Sequence, residues 1–65
     1  MTDTVNYAIT IHMIGGHSAA VVHGATDKYD ALRVVRANGY KPVVTIPVRE
    51  VSDEVAALIP YPMWK

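Results

Sequence analysis

The chain has 65 residues, six Lys and Arg against six Asp and Glu, no Cys and no Phe, and 51% of it is hydrophobic. That length allows one domain; the missing Cys excludes a disulfide framework or a thiolate zinc site; the apolar content excludes a disordered tail. The zero formal charge argues against a dedicated nucleic-acid binder, which carries a basic excess.

A domain this small buries only about 60% of its unfolded surface, so its stability margin is thin. Unstapled domains of this size often gain stability by associating, and a homodimer or a stable protein partner is expected. The amino terminus, Met1-Thr2-Asp3-Thr4, lacks the basic start of a signal peptide. No apolar run approaches the roughly 18 residues needed to span a bilayer. These features predict a cytoplasmic protein with no membrane partner.

Residues 5–13 alternate. Val5, Tyr7, Ile9, Ile11 and Met13 point one way, and Asn6, Ala8, Thr10 and His12 the other, the period of a half-buried strand. Gly15-Gly16 suits a hairpin turn, and 17–23 reads as the second strand. Gly24-Ala25 is expected to break it. Thr26 or Asp27 can cap a helix over 27–37, which Asn38-Gly39 stops and Pro42 keeps from resuming. Ala31, Leu32, Val34 and Val35 form its apolar stripe, with Tyr29, Arg33 and Arg36 opposite. Residues 43–48 read as a third strand, with Pro42 and Pro47 marking an edge or bulge. Ser52 can cap a short helix over 53–59, which Pro60 ends.

The predicted fold is α+β: a three-stranded antiparallel sheet of β-β-α-β order, strands arranged 2-1-3, one helix on one face and a short C-terminal helix and tail. A parallel pairing of strands two and three is the alternative.

Four constellations are candidates for function. Parity across the hairpin puts His12, His17 and His23 on one face, opposite Ile9, Ile11, Ala20 and Val22. His12 and His17 are diagonal neighbours, but a zinc site needs three or four ligands and no Asp or Glu lies on either strand, so neither metal nor cofactor is expected. The same face carries Ala8, Thr10, Ile14, Ala19 and Val21, which mark a contact surface unless the C-terminal segment covers them. Tyr29, Arg33 and Arg36 form a basic-aromatic stripe able to grip phosphate or carboxylate, although an Asp30–Arg33 surface pair also explains the charges. Tyr61 and Trp64 place aromatics in the tail, suited to an interface or to capping a core without Phe. Ser18 and His17 are adjacent on a strand and point apart, so they form no nucleophile–base pair.

The residues therefore predict a non-enzymatic protein-binding module that modulates a larger partner. Its expected contacts are Tyr29, Arg33, Arg36, His12, Val21, Tyr61 and Trp64. Small domains without chemistry are frequently phage or mobile-element proteins that block host machinery such as a defence system. The alternatives are a nucleic-acid accessory protein using Tyr29, Arg33, Arg36 and Lys41, and a weak His-based metal-binding or enzymatic domain.

Overall fold

A computed structural model describes residues 5–65; the reading of residues 1–4 lies outside them. The elements are β1 (Val5–Met13), β2 (Gly16–Ala25), α1 (Lys28–Ala37), β3 (Arg49–Val51), α2 (Asp53–Ala56) and β4 (Pro62–Trp64). The fold is α+β, with one mixed four-stranded sheet in the order β3-β1-β2-β4. No helix among the described residues is long and apolar enough to cross a membrane.

The hairpin follows from the alternation. β1 and β2 pair antiparallel from Met13↔Gly16 to Asn6↔His23. The two-residue loop is Ile14-Gly15, one position earlier than the Gly pair suggests, because Gly15 (φ 85) supplies the left-handed residue a tight turn needs. A register moved by two residues keeps its parity, so the expected faces hold. Gly24 does not break β2. Asn6 pairs with His23 and Val5 with Ala25, so Gly24 (φ 79) is an extra residue looped into a bulge.

Asp27 caps α1, its carboxylate accepting from the Asp30 N–H at 2.8 Å. At the other end Gly39 (φ 87) turns left-handed, and the Gly39 and Tyr40 N–H groups close back onto Arg36 and Val35. Ala31, Val34 and Val35 are buried with Ile9, Ile11, Ala20, Val22 and Tyr7. Fully burying a Val or Ile is worth about 1.5–3 kcal/mol, so this cluster is the main source of stability. Tyr7 is in it, and burial, then the charges of Glu50 and Asp27, push its phenol pKa up.

The third strand is displaced from 43–48. The chain meets β1 through an isolated bridge, Ile11↔Pro42, then pairs again at Ala8↔Arg49. Three steps along β1 face seven on the partner segment, so four residues are looped out. Pro42 and Pro47 lack the donors that would keep a ladder running, and the Ile46 N–H closes a turn on Val43 instead (3.2 Å). Val44 and Ile46, expected on a strand, are exposed. The pairing of β3 with β1 is antiparallel, which preserves the expected 2-1-3 neighbours.

The fourth strand is new. Pro62, Met63 and Trp64 lie parallel to Val21, Val22 and His23. Met63 consequently enters the core beside α1, while Trp64 falls on the opposite face. Tyr61 enters β4 with a positive φ of 60, which costs a non-glycine residue about 1–2 kcal/mol. β-Branched residues tolerate that conformation worst. Tyr61→Val should therefore lower the melting temperature more than Tyr61→Gly; the reverse order would show that the ring, not the backbone, sets the cost.

Candidate functional site

The second sheet face, opposite α1, is covered by the chain's own C-terminal segment. Ser52 caps α2 by accepting from the Val55 N–H (3.2 Å), and hydrogen bonds from Leu58 and Ile59 to Val55 and Ala56 carry the turn on toward Pro60. Ala56 is 3% exposed and Val21 is fully buried. Val21 therefore cannot be the surface contact expected of it: its face carries a second apolar layer.

That layer does not close completely. Between α2 and the loop before β3 runs an apolar groove whose walls include Thr10, Ala19, Ile46, Val51, Val55 and Ile59. Arg49 is the one charged residue lining it. Its volume of about 220 Å³ is below the roughly 300–1,000 Å³ of sites for drug-sized molecules, so its shape suits a side chain rather than a whole ligand. Val55 is 45% and Leu58 84% exposed.

A polar chain pins α2 in place. The Asn6 amide donates to the Asp53 carboxylate (2.6 Å), leaving its oxygen to accept from Nδ1 of His23 (2.8 Å). Trp64 stacks on the His23 ring, centroids 4.8 Å apart and planes 16° from parallel. An amide has no titratable proton, so Asn6 interrupts any proton path between Asp53 and His23. The arrangement holds structure together. Trp64 is joined to its own chain, though 66% exposed, and Tyr61 rests near Tyr40 with ring centroids 6.0 Å apart.

His12 and His17 face each other directly, not diagonally. Their rings meet edge to face at 5.1 Å on the exposed end of the hairpin. Among the described residues no three His, Cys, Asp or Glu gather as a metal site.

The basic stripe is altered by burial of Asp30. This carboxylate, expected at the surface, accepts from the Thr26 N–H (3.0 Å), the Arg33 guanidinium and the Lys65 ammonium (2.7 Å). Arg33 is thus engaged, and Lys28 lies over the Tyr29 ring at 5.3 Å. Arg36 is exposed in the last turn of α1. The shallow cleft at the start of α1 is lined by Asp27, Tyr29, Asp30 and Arg33, and its guanidinium is the one already paired with Asp30.

Hydrogen bonding to Lys65, then to Thr26, with Arg33 adding to it, holds the Asp30 carboxyl well below its ordinary 3.8 despite burial. A carboxyl depressed in the folded state stabilises above its unfolded pKa and loses that contribution as pH falls. Stability should therefore drop on acidification below about pH 4, and Asp30→Asn should flatten that limb of a melting-temperature profile. An unchanged acid limb in the variant would show that other carboxylates carry it.

No known protein family, curated protein or solved structure is significantly similar to this chain.

Sequence reasoning allowed the C-terminal segment to cover this face but missed the groove, because Ile46 was assigned to a strand. The apolar signal of Val55 and Ile59 was present; their packing against β1 was not visible locally.

Proposed function

We propose that this chain is a small, non-enzymatic protein-binding module that modulates a larger partner through the apolar groove on the second sheet face. The observation that carries this reading is a groove of side-chain size whose walls include the exposed Ile46 and Val55. Contiguous apolar surface of that kind marks interaction sites, and an inserted aromatic or aliphatic anchor supplies most of an interface's binding energy. Arg49 at the groove gives such an anchor a charged neighbour for orientation. Blocking a larger machine, as phage and mobile-element proteins do, is an effect available to a module with a binding face alone.

Surface substitutions stay within about 0.5 kcal/mol, so Val55→Asp with Ile46→Asp should melt close to the native temperature and lose the partner. Arg33→Ala with Arg36→Ala should keep it. Partner capture by the native protein and the two double variants, read beside their melting curves, tests this. Capture lost in the arginine pair and kept in the groove pair would reverse the reading in favour of nucleic-acid binding.

A further inference from the structure

Among the described residues, one stretch of sheet edge has no strand beside it. β4 covers β2 only at Val21, Val22 and His23. The Val21 N–H donates outward to Tyr61 (3.3 Å), and the His23 carbonyl accepts from the Lys65 N–H (3.1 Å). Backbone groups along a strand alternate in direction, so those of His17 and Ala19 point outward on the same side. Among the described residues no strand pairs with that side of residues 16–20.

Edges invite pairing unless charge, proline or a cover blunts them. The other edges here are blunted. β3 carries Arg49 and Glu50. In β4, residues 61 and 65 bond to β2, so Pro62 points outward and removes an outer donor. The bare stretch of β2 has neither device: from Thr4 to Thr26 there is no Lys, Arg, Asp or Glu.

We propose that residues 16–20 of β2 pair antiparallel with the same residues of a second copy of this chain. The stretch is self-complementary about Ser18: His17 faces Ala19 of the other copy, and both pairs exchange N–H and C=O bonds. It is also self-limiting. Position 15, at the turn, meets position 21, where β4 begins, so the pairing ends at the length of the free edge. An isologous contact of this kind closes as a dimer rather than growing into a filament. Two four-stranded sheets become one of eight. The second copy is favoured over a foreign strand because uncharged edges meet without like-charge repulsion, and because the open length matches itself.

Light scattering over a concentration series tests the contact. The native protein should approach twice the chain mass at high micromolar concentration, and Ala19→Pro, which deletes one outward donor, should return it to single mass. Proline at an open edge position is compatible with folding; the circular dichroism spectrum checks that. Should Ala19→Pro misfold, His17→Lys on the exposed edge places a like charge in each copy and should also give single mass. The His17 and Ala19 amides should exchange with deuterium more slowly as concentration rises. A native protein that stays monomeric, or a dimer that survives both substitutions, overturns the proposal. Val55→Asp should leave the dimer intact, so loss of groove binding and loss of this contact are separate results.

Discussion

Val21→Asp should unfold the protein. Val21 has no solvent exposure and sits between the sheet and the C-terminal layer. An uncompensated buried charge costs about 3–5 kcal/mol, against a total stability of about 5–15 kcal/mol for domains in general and a thin margin for one this small. Val21→Ala removes only methyl groups and should cost about 2 kcal/mol, leaving a folded protein with a lower melting temperature. Circular dichroism melts of both variants decide it. A folded Val21→Asp with near-native melting would show that α2 does not cover this face.

Ile11→Ala should be the most damaging apolar truncation on the other side of the sheet. Ile11 is fully buried at the junction of β1 and α1, with Val22 and Val35 also at zero exposure. Ile→Ala at such sites costs about 2–5 kcal/mol through lost transfer energy and the cavity left behind. One kcal/mol shifts the midpoint by about 4–8 °C in a domain of this size, so a fall of at least about 10 °C is expected. Val55→Ala, on a half-exposed groove wall, should move the midpoint far less. Equal losses would mean that the hydrophobic core is not centred between α1 and the hairpin.

These two sites mark the boundary of what the sequence made legible. Ile11 was readable because a period of two over nine residues assigns its face without knowledge of the rest of the chain, and because the Asp27 cap and Gly39 stop bracket the helix that packs on it. Val21 was assigned to the correct face, but the sequence left open whether that face is a contact surface or is covered, and its full burial rules out the exposed contact. β4 was unreadable for a related reason. Three residues beginning with proline show no period, and the left-handed turn at Tyr61 that precedes the parallel pairing has no glycine to announce it. Gly24 carries the same positive φ in a bulge as in a turn, so a break and a bulge look alike. Pro42 and Pro47 did announce a defect, but the size of the loop they enforce depends on where β1 can accept the chain again.

Of the expected contact residues, Tyr29, Arg36, His12 and Trp64 are exposed and available, Arg33 is tied to Asp30, Tyr61 is partly turned toward Tyr40, and Val21 is internal. In the proposed function the groove residues Ile46 and Val55 stand where Val21 was expected. Their apolar character was plain, and only the fold brings them side by side.

The most direct test of groove-mediated binding is site-specific photocrosslinking in extract of the cells that make the protein. A photoreactive side chain at Ile46, on the groove wall, is compared with one at Arg36, on the exposed surface of α1. The account predicts one adduct of defined mass from Ile46, suppressed by excess unlabelled protein and by Val55→Asp in the probe, with none from Arg36. Adducts from Arg36 alone, or equal labelling from both positions that competitor does not suppress, would contradict it.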